Sequence, residues 1–220
     1  MLVLYLLKIL DMEISENIPT KTSALPLMEA FYTIQGEGAW QGHAAYFIRL
    51  AGCDVGCVWC DVKESWDAKA HPVVSVEAIV QEARQYPCKI AVITGGEPLM
   101  YDLTYLTEEL KRAGFRTHIE TSGVYPLTGQ WDWVCFSPKK FKKPHESIYF
   151  KADELKAIVY NPSDFSFAES FINSMKKNCK LLLQPEWSRQ DKMMPLIVEY
   201  VKANPQWQVS LQTHKYMNIP

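Results

Sequence analysis

Three cysteines, Cys53, Cys57 and Cys60, fall within eight residues, with three residues between the first pair and two between the second. Thiolates held this close can share one soft metal centre. A four-iron cluster ordinarily takes four cysteines. Three leave one iron without a protein ligand, and an open coordination position is where chemistry on a bound molecule takes place, as at an open zinc site. Gly52 and Gly56 suit a loop that curls around such a cluster, because glycine adopts backbone angles that other residues avoid. A Cys3His zinc site is the main alternative, with His71 the nearest downstream fourth ligand, but the step from Cys60 to His71 is unlike paired zinc ligands. Three unliganded core thiols so tightly clustered would be unusual, and a disulfide would leave one thiol over. The spacing favours an iron–sulfur cluster.

The elements that must position this loop read as alternating strands and helices. Residues 45–50 form a buried strand leading straight into the cysteines. Ser75 caps a helix with Val76, Ile79, Val80 and Ala83 on one face, stopped by Pro87. The β-branched run 89–94 is a strand ending in a Gly-Gly turn. Asp102 caps a second helix with Leu103, Leu106 and Leu110 inward, and Gly114 fits its end. Residues 115–119, 131–136, 155–160, 180–183 and 206–213 read as further strands. Helices are expected at 164–177 and at 188–203, the latter kinked or started late by Pro195. This alternation predicts a parallel sheet with right-handed crossovers, about six such strands curving into an open barrel. The connections before 131 and before 155 are too short for full helices. Five polar motifs follow strands, beginning at Cys53, Gly95, Glu120, Ser137 and Gln184. In barrels of this kind the carboxyl ends of the strands form the active-site face.

At 220 residues the chain fits one domain with a substantial core. Its 48% hydrophobic and 22% charged content is ordinary for a globular protein. A formal net charge of −2 gives no general attraction to a phosphate backbone, so no nucleic acid partner is expected. The apolar run 1–10 is far short of the ~20 residues that span a bilayer, and it lacks a basic start and a small-residue cleavage site. No membrane association is expected. Residues 1–26 read as a loosely ordered N-terminal extension, polar from Glu13 to Ala24, with Met12 a candidate start. Residues 27–220 form the domain. Free thiols beside an oxygen-sensitive cluster indicate a reducing cytoplasm. The isolated Cys88, Cys135 and Cys179 read as half-buried thiols, and the basic run 139–143 as solvated beyond Lys139.

Trp59 directly before the last cysteine completes the signature of the radical S-adenosylmethionine (SAM) superfamily. Around it lie Gln35-Gly-Glu-Gly38, Phe47-Ile-Arg49-Leu, Thr94-Gly-Gly-Glu97-Pro, Glu120-Thr-Ser-Gly123, Ser137-Pro-Lys139 and Gln212-Thr-His214-Lys. This ordered set, from about Leu27 to Pro220, resembles the 7-carboxy-7-deazaguanine synthase family. The resemblance implies a trimmed superfamily barrel: an α/β, partial, open (β/α)6-type radical SAM barrel with some helices shortened or missing. It implies a [4Fe-4S] cluster on Cys53, Cys57 and Cys60. SAM would lie against Trp59, Cys60, Asp61, Gly96, Glu97, Thr121, Ser122, Ser137, Pro138, Lys139 and Gln184, with Gly96 and Glu97 holding its amino group and Trp59 meeting the adenine. The pterin acid 6-carboxy-5,6,7,8-tetrahydropterin would meet Ile34, Gln35, Gly36, Glu37, Arg49, Thr94, His214 and Pro220.

Several of these residues suit those roles chemically. An arginine fork grips a carboxylate through two N–H groups, and Gln35 and Glu37 offer amide and acid groups to the guanidine-like edge of a pterin. Plain local readings stand beside them: Gly-Gly with Pro is a common turn, Gly-Glu-Gly a flexible loop, Trp59 a buried aromatic, and His214 a structural histidine. Relatives commonly follow the last cysteine with Asp and then a hydroxyl residue near magnesium. Val62 stands in that place and offers no side-chain oxygen to a hard cation, so magnesium is left to substrate oxygens and water, and a weaker magnesium dependence than in relatives with the hydroxyl is expected.

The implied reaction is a ring contraction yielding 7-carboxy-7-deazaguanine, a queuosine precursor. In it a 5′-deoxyadenosyl radical takes hydrogen from C6 of the pterin, SAM is re-formed and ammonia is lost. The resemblance also implies a homodimer and a reducing electron donor of the flavodoxin or ferredoxin type. Two rivals are another radical SAM reaction such as glycyl-radical activation, which would not need Gln35, Arg49 or His214, and a non-catalytic iron–sulfur or zinc protein, which would need a fourth ligand.

Overall fold

The computed structural model of the protein describes residues 22–220. The apolar run 1–10, Met12 and the polar segment up to residue 21 lie outside the described residues. The first element among the described residues is a strand, β1 (Ala24–Ile34), which begins three residues ahead of the expected domain start at Leu27 and buries Leu25 completely. It runs antiparallel to β2 (Ala44–Leu50) in an unbroken register from Glu29↔Arg49 to Ile34↔Ala44. A short strand β3 (Val73–Ser75) caps the other side of β1.

Beyond β2 the sheet is parallel. It continues through β4 (Ile90–Gly95), β5 (Arg116–Thr121), β6 (Trp133–Phe136), β7 (Glu154–Val159), β8 (Lys180–Pro185) and β9 (Trp207–Val209). The order is β3-β1-β2-β4-β5-β6-β7-β8-β9, so each strand after β4 is laid beside its predecessor in one direction. Such a singly wound sheet curls, and here it stays open, which bears out the partial barrel. β1, at the antiparallel end, is not foreseen by its sequence: Pro26 and Glu29 interrupt it and its burial does not alternate.

Among the described residues five helices accompany the sheet. In α1 (Val76–Ala83), Ser75 Oγ accepts from Ala78 N at 3.2 Å and the four expected apolar residues are buried. In α2 (Thr104–Arg112), Asp102 Oδ1 accepts from Thr104 N at 2.9 Å, but the capping position itself falls on Leu103. Gly114, at φ +88°, ends it as expected. The helix expected over 164–177 is much shorter: α3 (Ser163–Glu169) gives way to a 3-10 turn at Ile172–Ser174. α4 (Gln190–Ala203) starts after a separate 3-10 turn and contains Pro195. The strand expected over 206–213 stops at Val209, because Ser210 turns inward and its hydroxyl bonds Gln184 Oε1 at 2.8 Å. α5 (Thr213–Met217) follows.

No helix joins β5 to β6, and only a 3-10 turn, Glu146–Ile148, lies between β6 and β7, as the short connections predict. Leu25, Ile48, Ile93, Ile119, Phe136, Leu155, Leu183 and Trp207 belong to one core between sheet and helices. Cys88 and Cys135 are buried rather than half-buried, Cys135 at 1% exposure, since β6 turns its thiol inward between neighbouring strands. The basic run is also tied down: Lys140 pairs with Asp164 at 2.5 Å and Lys142 with Asp54 at 2.6 Å.

Candidate functional site

Glycines set the geometry of the cysteine loop. Gly52 has φ +104° and Gly56 φ +75°, so both turn where a side chain would be strained. The end of β4 then presses on the loop backbone. Gly96 N donates to Leu50 O at 2.9 Å and Glu97 N to Gly52 O at 2.8 Å. A Cβ on Gly96 would stand 2.2 Å from Gly52 O and 2.8 Å from Cys53 Cβ. The Gly-Gly pair therefore serves a backbone-to-backbone contact as well as any ligand.

The three thiols share an apolar nest with Val55, Val124 and Trp59. Burial pushes Cys57 up to about 11, against the pull of Lys139, and also raises Cys53. Binding a metal centre here releases those protons, because the ligand is the thiolate. Among the described residues, only Glu120, Cys135 and Glu154 bring three potential ligand atoms within 4.8 Å of one another. His71 does not join the three thiols: it lies outside the lining of the cavity that the three cysteines share, and its Nε2 lies 2.8 Å from the carbonyl of Glu64. A soft donor set on a glycine-turned loop fits a multi-iron cluster.

All five motifs at strand ends converge on one cavity of about 290 Å3. Every candidate site residue lines it except Pro138, which is buried behind the wall because the chain turns there from β6. Glu97, 1% exposed, is fully engaged by the protein. Oε1 accepts from Leu99 N at 3.1 Å and Thr121 Oγ1 at 2.5 Å, and Oε2 accepts from Ser122 N at 2.8 Å and from the Ser122 hydroxyl. Thr121 and Ser122 thus serve the cavity by fixing Glu97. Lys139 folds back on Ser137, 2.7 Å from its carbonyl and 2.6 Å from its hydroxyl, and sits over the Trp59 ring. Asp61 meets Lys215 Nζ at 3.3 Å.

The opposite wall is ionic. Lys156, 4% exposed, places Nζ 2.6 Å from Glu37 Oε2 and 2.8 Å from Glu120 Oε2. Burial works against its charge, but Cys135, Glu120, Glu37 and Glu154 raise its pKa well above normal. Burial would also raise Glu37, yet the charge of Lys156 and hydrogen bonds from Lys156, Gln212 and Gln184 hold it at about 2. Glu154 is raised by burial and by Glu120, with Lys156 opposing. The pair Glu37–Lys156 is therefore ionised at neutral pH, and Glu120 joins it through hydrogen bonds. Arg49 reaches the same cavity with its Nε held 2.7 Å from Glu29 Oε1, an orientation set by the direct β1–β2 pairing of the two residues.

The chain end closes the wall. His214 lies over Gly36, where a Cβ would meet its Nδ1 at 2.2 Å, while Thr213 N donates to Gly36 O at 2.9 Å. Gln212 Nε2 donates to Glu37 Oε1 at 2.8 Å, and Pro220 O accepts from Thr33 at 3.4 Å. Burial lowers the His214 pKa. Lys156, on the cavity wall, and Glu154 behind it are not singled out by the sequence. Their signal is two charges at alternate positions of an otherwise apolar parallel strand, which places both on one face.

A singly wound open barrel with a three-thiol loop at its carboxyl edge is the arrangement of radical SAM proteins, and the profile of the Radical SAM superfamily matches residues 47–135. The 7-carboxy-7-deazaguanine synthase of Flavobacterium psychrophilum is 58% identical over 200 residues, 91% of this chain and 95% of that protein. The protein of the same name from Synechocystis sp. is 48% identical over 198 residues, 90% of this chain and 95% of its own. The crystal structure of QueE from Escherichia coli superposes with a TM-score of 0.78 at 32% identity, covering 86% of this chain and 94% of that one. The chain belongs to the 7-carboxy-7-deazaguanine synthase family.

Proposed function

We propose that this protein is a carbon–nitrogen lyase that contracts the ring of 6-carboxy-5,6,7,8-tetrahydropterin to 7-carboxy-7-deazaguanine with loss of ammonia, a step toward queuosine-type deazapurines. The observation that carries this reading is the convergence of a three-thiol loop and a fixed ionic wall on a single cavity. Cys53, Cys57 and Cys60 would hold a [4Fe-4S] cluster, with SAM between it and the Gly96–Glu97 turn. Bound there, cluster and SAM supply one-electron radical chemistry that no amino-acid side chain offers.

The chain's own residues bind and orient. Arg49 presents its guanidinium to the substrate carboxylate. Glu37 is held ionised and Gln35 is buried against it, so together they offer acceptors to the guanidine-like edge of the pterin. Thr94, on β4 beside Arg49 in register, and His214 and Pro220 from the chain end limit the remaining sides. Trp59, with Lys139 over its ring, suits the flat face of an adenine. Packing by the apolar and aromatic lining keeps water from the reacting atoms.

Residue 62 gives magnesium no purchase. Val62 lacks a side-chain oxygen, and its carbonyl already accepts from Ser65 N at 3.1 Å and Ser65 Oγ at 2.7 Å. A reductant of the flavodoxin or ferredoxin type, a homodimer and a cytoplasmic setting belong to the same proposal through the family. Among the described residues no helix is long and apolar enough to cross a membrane.

Anaerobic reconstitution tests the reading. About four irons per chain, spectra perturbed by SAM, and conversion of the carboxypterin to the deazaguanine acid by mass spectrometry are the expected results. Absence of iron–sulfur charge-transfer absorbance, or full turnover after replacing any one of the three cysteines by alanine, would overturn it.

A further inference from the structure

Behind the ionic wall lies a second, much smaller cavity. Gln35, Glu37 and Glu120 line both spaces and form the partition between them. The inner space, about 10 Å3, is completed by Trp40, His118, Ile119, Trp133 and Glu154. That is the room one water molecule's centre occupies. Among the described residues, three of the four buried side-chain polar atoms without a hydrogen-bond partner belong to residues lining it: Nε1 of Trp40, Nε2 of His118 and Nε1 of Trp133. Their rings are packed together, Trp40 lying 4.9 Å from His118 and 5.7 Å edge-on from Trp133. Buried polar atoms are nearly always paired, so three orphans around one small space call for an occupant.

The hydrogen-bond inventory selects it. An indole N–H only donates, so two tryptophans require an occupant that accepts twice. A metal ion or an ammonium cannot accept, and the positive charge here is already supplied by Lys156 against Glu37 and Glu120. An anion would face three carboxyl groups. Water alone accepts two hydrogen bonds and donates two. His118 is ready to accept one, because burial and the charge of Arg116 lower its pKa to about 4 against Asp132 and Asp153, with His43 adding to the lowering, so the ring is neutral. Glu120 is ready to accept the other: Lys156 holds its Oε2 at 2.8 Å and Gln35 its Oε1 at 3.4 Å, and a carboxylate has further lone pairs. Glu154 is engaged by Ala39 N at 2.9 Å.

We propose that this inner cavity is an internal water site, and that the water ties His118 to the carboxyl group of Glu120 and so fixes that group at the wall of the main cavity. His118 is then a positioning residue, remote from the substrate and acting through the water. The turnover part of the test rests on the proposed function; the water itself does not.

A high-resolution crystal structure of the reconstituted protein should show one water within hydrogen-bond reach of both indole nitrogens and His118 Nε2. His118→Phe should lose or displace it and lower kcat roughly tenfold while KM stays within roughly twofold. His118→Gln, whose amide oxygen accepts in the same place, should keep the water and restore kcat to within roughly threefold of the parent. If His118→Phe does not fold, Trp133→Phe removes one donor with little loss of bulk and should shift the water and lower kcat in the same sense. An inner cavity that is dry, holds a metal ion or is filled by a side chain overturns the proposal, as does His118→Phe, or Trp133→Phe in its place, with parental kcat. A parent protein that fails to convert the carboxypterin overturns the proposed function instead, while the crystallographic result still decides the water.

Discussion

Lys156→Met keeps the length and apolar stem of the side chain and deletes its charge, which tests how the ionic wall is held. In the native protein Glu37 titrates at about 2 rather than 4.5. At about 1.4 kcal/mol per pH unit, that drop corresponds to about 3 kcal/mol favouring the ionised carboxylate, most of it owed to Lys156. Removing one partner of a buried pair leaves the other charge uncompensated, a loss of about 3–5 kcal/mol. A destabilisation of about 3 kcal/mol at pH 7 is therefore expected, measured by urea unfolding of iron-free protein through tryptophan fluorescence. The sign with pH also follows. A depressed carboxyl pKa gives stability that is present above the unfolded value of 4.5 and lost as pH falls through about 2. The gap between native and Lys156→Met protein should therefore narrow on acidification below 4.5. A gap under about 0.5 kcal/mol at pH 7, or one that widens in acid, would refute the reasoning.

Gly96→Ala puts a methyl group 2.2 Å from Gly52 O, so the cysteine loop must move; iron content after reconstitution should fall to less than roughly half, measured by metal analysis. Arg49→Lys keeps the charge but loses the planar fork, so KM for the carboxypterin should rise roughly tenfold with iron content unchanged. Turnover of the native protein should depend only weakly on magnesium, and Val62→Thr, which supplies a hydroxyl on the cavity wall, should strengthen the dependence in titrations of metal-depleted enzyme.

The parallel part of the fold was legible in the sequence because buried strands such as 90–95 read as continuous β-branched runs, and because each ends in a polar motif that the barrel gathers at one face. Periodicity carries α1 in full. It overstates α3, where the run of alternating serines and phenylalanines offers hydroxyls that bond their own backbone, Ser166 to Ser163 O and Ser170 to Phe167 O, and compete with continuation of the helix. β1 escapes because its partner β2 lies twenty residues on, and nothing local in a strand broken by proline and glutamate announces an antiparallel pairing. Within the site, the thiols and glycines stand out through their types and spacing. Lys156 and Glu154 do not, since a charge on a buried strand has meaning only once its neighbours across the sheet are known. Pro138 resembles its motif neighbours in sequence, yet it is buried outside the cavity lining while Ser137 and Lys139 line the cavity.

The seam between Gly36 and α5 bears on how the molecule is made. Residues 33–38 meet partners 172 to 187 positions later: Ser210 at Gly38, Gln212 at Glu37, Thr213 at Gly36 and Pro220 at Thr33. A ribosome delivers those partners well after the cysteine loop. The cysteine loop and its supporting strand β4 precede residue 96 and can associate early, whereas the wall around Glu37 and His214 waits for residues 210–220 to emerge. Contacts of such long separation are the slow ones in folding, so the cysteine loop can take shape before the cavity wall opposite it is complete.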